Sequence, residues 1–157
     1  MSKLMCARIV AVVALSAVMS AQSANLACNW TIDRAAGSGG RGIAGIPLAT
    51  TLKITVSAGD VSVESDTGSG QTQQTAVYKL DGSANRVPGP LGWDTRAKAA
   101  WEGGNLVVMT RRSMTGPTGP MGVDVKDIYS VTGDVLTIER SMGRATQKLV
   151  YRKGDPK

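Results

Sequence analysis

The sequence predicts an all-β protein: a single antiparallel up-and-down meander of eight or nine strands, curled into a barrel or half-barrel, after an N-terminal signal helix. Three observations carry this. From Val123 to Tyr151 apolar and polar residues alternate, the two-residue period of a half-buried strand. Gly133-Asp134 and Met142-Gly143 interrupt that run where tight hairpin turns would fall. The same strand-turn-strand grammar recurs twice upstream, around Ala58-Gly59 and Gly103-Gly104.

At the start, Lys3 and Arg8 precede an uncharged apolar run, Ile9 to Met19, followed by Ser20, Ala21, Ser23 and Ala24. A basic segment, a short apolar segment and a small-residue exit describe a secretory signal over residues 1–24. The run is short of the roughly 20 apolar residues that span a bilayer. No second such run follows, so no membrane span is expected after cleavage, and one domain fills 25–157. The expected destination is the periplasm or the cell exterior.

Cys6 would leave with the signal, and Cys28 then stands without a disulfide partner. Cys28 reads first as a small buried hydrophobe and second as a lipid-anchoring site. Trp30 and Ile32 share a face of a short first strand. Five glycines then fall within residues 35–47, too many for helix or central strand, so this segment is expected to be a loop. It lacks the Gly-Lys-Ser/Thr spacing of a phosphate loop.

Thr51 to Val56 alternates, turns at Ala58-Gly59 and returns through Val61 and Val63. This sets Val56 opposite Val61, Ile54 opposite Val63, and Lys53 opposite Glu64 on the other face. Ala76 to Leu80 is the next strand. Asn85 to Trp93, with Pro88 and Pro90, reads as a loop or irregular edge. Arg96 to Trp101 is alanine-rich but runs through Gly103-Gly104 into the β-rich Leu106 to Met109, so a strand is expected. Trp101 then faces Leu106, and Ala97 and Ala99 point inward with it. Ser113 to Gly122, rich in Gly and Pro, reads as a long hairpin loop, since its two Gly-x-y units cannot sustain a collagen helix.

Composition narrows function. The chain has 18 Lys+Arg and 12 Asp+Glu, net +6, or +4 once Lys3 and Arg8 are removed. The basic residues are spread rather than gathered into a stripe, which argues against nucleic acid as a partner. There is no His, so the commonest general base and metal ligand is missing. No cofactor, metal site or catalytic residue is expected. An enzyme would have to rest on Asp33, Asp81, Asp94, Asp124 and Asp127, and nothing in the sequence brings two of these together. About 130 mature residues suffice for one real core.

Trp30-Thr-Ile-Asp33 resembles the W-x-L-D opening of small secreted bacterial β-proteins with a lipocalin-like meander. Tyr78-Lys-Leu-Asp81-Gly82, Ala99-Ala-Trp101-Glu-Gly103, Ser130-Val-Thr-Gly133-Asp-Val-Leu136 and Val150-Tyr151 are similar to later landmarks of that group. The resemblance spans nearly the whole mature chain. It implies a meander fold and supplies no catalytic residues; Cys28 and the glycine-rich loop depart from its pattern.

The last hairpin carries the candidate site. Pairing about Gly133-Asp134 sets Val131 opposite Leu136, Tyr129 opposite Ile138, and Asp127 opposite Arg140. By parity Asp127 and Arg140 share the apolar face with Tyr129. Buried charge is tolerated mainly in pairs. The pair therefore reads as a polar floor inside the barrel, as an ion pair at its open end, or as outward-facing if a bulge follows Val125. The expected ligand-binding residues are Tyr78, Trp101, Asp127, Tyr129 and Arg140. Ala76, Ala97 and Ala99 beside the aromatics leave room for a small apolar or amphipathic ligand, or let a narrow barrel close tightly. An exported, non-catalytic binding protein is the first expectation; a structural or envelope-associated protein with a filled core is the second. Oligomeric state is not legible.

Overall fold

The computed structural model describes residues 25–37, 48–68 and 73–154. The expected signal segment and most of the 35–47 loop lie outside the described residues. Ten strands form one sheet: β1 (Asn29–Ile32), β2 (Thr51–Val56), β3 (Asp60–Asp66), β4 (Gln74–Lys79), β5 (Asn85–Arg86), β6 (Asp94–Glu102), β7 (Asn105–Gly116), β8 (Gly119–Thr132), β9 (Val135–Met142) and β10 (Ala145–Lys153). Their order is β4-β3-β2-β1-β10-β9-β8-β7-β6-β5. Every neighbour is antiparallel, and β1 pairs with β10, so the meander wraps back on itself into a nearly closed barrel.

One seam remains, between β4 and β5. No ladder joins these strands. Instead the Asn85 side chain bridges them: its Nδ2 donates to the Val77 carbonyl at 2.7 Å, and its Oδ1 accepts from the Lys79 amide at 3.4 Å. An amide side chain carries both a donor and an acceptor, so one residue can stand in for a missing ladder rung.

The hairpin registers follow the turn chemistry. Val56 pairs with Val61, Ile54 with Val63, and Lys53 with Glu64. Trp101 pairs with Leu106, and Ala99 with Val108. Val131 pairs with Leu136, Tyr129 with Ile138, and Asp127 with Arg140. Gly103 and Gly104 both have positive φ, 54° and 87°. One of the two-residue turns that match the strand twist has that conformation at both central positions, and glycine adopts it without strain.

The loop or irregular edge expected at Asn85 to Trp93 begins with the two-residue β5, the end strand of the sheet, paired to Ala97 and Arg96. Two expectations need correction. There are ten strands rather than eight or nine. The supposed long loop at Ser113 to Gly122 is mostly ladder. Ser113 pairs with Gly122 and Met114 with Met121, and the turn is only Pro117-Thr118. The proline is tolerated because here β7 and β8 have outrun their neighbours. β6 ends its pairing at Ser113, and β9 reaches only to Lys126. Pro120 thus sits on a free edge, where a missing N–H costs little.

One end of the barrel is filled. Leu26, Trp30, Val61, Leu106 and Leu136 are each at most 2 % exposed. The indole of Trp30 donates to the Leu26 carbonyl at 3.0 Å, so the burial leaves no orphaned N–H. Full burial of such side chains contributes roughly 1.5–3 kcal/mol each. Cys28 is unpaired and packs against this core, half-buried.

Candidate functional site: a polar chamber in the barrel

The other half of the barrel is hollow. A cavity of about 390 Å³ lies inside it. Leu52, Val63, Ala76, Ile138 and Leu149 supply apolar wall from β2, β3, β4, β9 and β10. Pro88, Gly89, Pro90 and Leu91 line it beyond β5. A Cβ on Gly89 would collide with the side chain of Thr95, so the segment approaches β6 as closely as a backbone can. The barrel is therefore both things its alanines allowed. Ala97 and Ala99 are packed away in the core, at most 2 % exposed, while Ala76 faces the cavity.

Asp127 and Arg140 meet inside it. Arg140 donates from Nε to Oδ1 at 2.8 Å and from Nη2 to Oδ2 at 2.9 Å, a fork-on-fork pair. Their side chains are 10 % and 14 % exposed. β8 and β9 pair without interruption from Lys126 to Thr132, so no bulge turns Asp127 outward. Burial works hardest against the Arg140 charge, but the hydrogen bonds to Asp127 and the attraction of its carboxylate together outweigh it and raise the guanidinium above its usual range.

The chain has three tyrosines, and all three line this cavity. Tyr78 shares a hydrogen bond with Tyr129. Burial, with the Asp127 carboxylate nearby, pushes Tyr78 up to about 12. Burial likewise lifts Tyr129 well above its ordinary value, helped by Tyr78 and Asp127. Tyr151 rises to about 12, again through burial, and its hydroxyl donates to the Ala49 carbonyl at 3.1 Å. All three phenols therefore stay neutral at ordinary pH.

Of the five residues the sequence singled out, the structure brings four together: Tyr78, Asp127, Tyr129 and Arg140. Trp101 is not with them. It borders a much smaller void beside Leu26 and Val131, against the other side of Tyr129. The sequence reasoning missed Tyr151 and Arg112. Arg112 follows Val108 and Thr110 at inward parity on β7, and that signal was lost by ending the strand at Met109. Its Nε is buried without a hydrogen-bond partner. Burial, and then the Arg140 charge, lower its pKa.

The five aspartates on which an enzyme would have to rest have separate partners. Asp33 binds Arg152 and caps a turn, Asp81 binds Ser83, Asp94 binds Arg86 and Arg96, and Asp124 binds Arg111. With Asp127 held by Arg140, each of the five aspartates is engaged by a base or a turn, and none by a second carboxylate. Among the described residues no three His, Cys, Asp or Glu side chains converge as metal ligands, and no helix is long and apolar enough to cross a membrane.

Fold and chamber together define a ten-stranded antiparallel meander barrel, lipocalin-like in its fold. Solved structures with this architecture include the REP1-NXSQ fatty acid transporter, at 14 % identity and a TM-score of 0.63, covering 85 % of this chain and 99 % of that one. Fatty-acid-binding protein 1 of Echinococcus granulosus has 15 % identity and a TM-score of 0.58, covering 83 % and 98 %. Apo lipid binding protein 8 of Caenorhabditis elegans has 10 % identity and a TM-score of 0.60, covering 83 % and 96 %. At such identities the likeness is one of fold. No protein-family model and no curated protein matches the sequence.

Proposed function

We propose that this protein is a non-catalytic carrier that binds one small, partly apolar ligand in the hollow half of its barrel. The observation that carries the reading is the cavity of about 390 Å³, within the size range of small-ligand sites and combining apolar wall with a few convergent polar groups. Barrels of this fold whose names include fatty acid or lipid binding support it. The test is fluorescence enhancement of N-phenyl-1-naphthylamine by the purified protein. Ala76→Trp, which fills the cavity from its wall, should abolish the signal; Trp101→Phe, outside it, should not. A probe that never brightens, or that brightens equally with Ala76→Trp, would refute the reading.

Export from a bacterial cytoplasm belongs to the same proposal. The basic and apolar segments of residues 1–24, with their small-residue exit, support it. Terminal sequencing of the cell-produced protein should find it starting between Gln22 and Asn25; an intact Met1 would contradict processing.

A further inference from the structure

Tyr129 is the one described residue that lines both the chamber and the small void beside Leu26. Successive inward positions of β8 step from one space to the other. Asp127 lines the chamber, Tyr129 lines both, and Val131 lines the void. Inward neighbours on a strand stand roughly 7 Å apart, so a single ring forms the partition. The void measures about 20 Å³ against about 390 Å³ for the chamber. That is room for about one water molecule and for no carbon chain. Around it the barrel is filled by Leu26, Trp30, Leu106 and Leu136.

The ring is held in place. Tyr129 is itself buried and stands between its ladder partners, Leu106 on β7 and Ile138 on β9, which are buried as well. Its hydroxyl shares a hydrogen bond with Tyr78 from β4. Swinging the ring aside would break that bond and drive it into close-packed side chains. We infer that Tyr129 is the depth stop of the chamber: its ring ends the space open to an apolar tail, so the protein selects compact or short-chained ligands over long chains. This rests on the carrier function proposed above. The ring acts through its bulk, and the hydroxyl serves to hold it across the barrel.

The test is displacement of bound N-phenyl-1-naphthylamine by the uncharged series octan-1-ol to tetradecan-1-ol, in which only tail length varies. While each added methylene is buried, affinity should rise about fourfold per carbon. In the wild-type protein that gain should stop within the series, where the tail meets the ring. Tyr129→Ala joins the void to the chamber and should carry the gain about two carbons further, roughly tenfold tighter binding of the longest alcohol. Tyr129→Phe keeps the ring and should keep the wild-type break, whatever it does to overall affinity. Thermal melts establish which variants hold the barrel. Tyr129→Leu, a smaller excavation, should move the break in the same direction and serves if the alanine variant does not fold. An unbroken gain through tetradecan-1-ol in the wild type overturns the inference and leaves the carrier reading standing. So does a break that stays put in the folded Ala or Leu variant, or one that moves as far with Tyr129→Phe. Failure of the probe itself to bind overturns both.

Discussion

Replacing Asp127 with Asn removes one charge from a buried two-pronged pair and leaves its shape. The pair is formed at 2.8 and 2.9 Å with both side chains at most 14 % exposed. Breaking such a pair from one side costs about 3–5 kcal/mol, because the surviving charge stays buried without compensation. The lower bound applies here, since the cavity lets water reach part of Arg140; we take about 3 kcal/mol. The variant also removes the carboxylate that offsets the charges of Arg112 and Arg140, adding repulsion between them. Urea unfolding at neutral pH is the assay. With a slope of about 1–3 kcal/mol per molar, the midpoint should fall by roughly 1–3 M. Replacing both partners with apolar residues, Asp127→Leu with Arg140→Met, should recover most of the loss, because no charge remains to be desolvated. A single substitution costing under about 1 kcal/mol, or a double variant whose cost equals the sum of the two singles, would refute a buried, coupled pair.

Two further outcomes follow from the same geometry. The ultraviolet phenolate band of the native protein reports only the chamber, because its three tyrosines are the only ones in the chain. It should stay silent near pH 10 and rise only toward pH 12, with Tyr78 and Tyr151 each pushed up to about 12. The neutral phenol is the form the fold prefers, so this stability is complete below pH 10 and is lost as pH climbs through 12; ordinary titration at 10 in the folded protein would contradict the burial. Asn85→Ala removes both hydrogen bonds across the β4–β5 seam. It should cost about 1–2 kcal/mol and speed amide exchange in β4 more than in β8; uniform exchange would argue that the seam is held by something else.

Two-residue periodicity and turn glycines were enough to specify the antiparallel class and the registers of β2–β3, β6–β7 and β8–β9. These are local quantities: a tight turn leaves one way to pair its flanks, and a one-residue slip would expose every apolar side chain. The Asp127–Arg140 pair was legible for that reason, as it lies six residues out on either side of Gly133-Asp134. Arg112 was not legible, because Pro117 and Pro120 read as loop until the neighbours of β7 and β8 were known to stop short of them. Tertiary structure alone decided the closure of β1 onto β10, the side-chain bridge at Asn85, and the division of the interior into a filled end and a hollow one. Those depend on which strands end where and on how far Leu26 and Trp30 reach across the barrel, distances that no stretch of sequence contains.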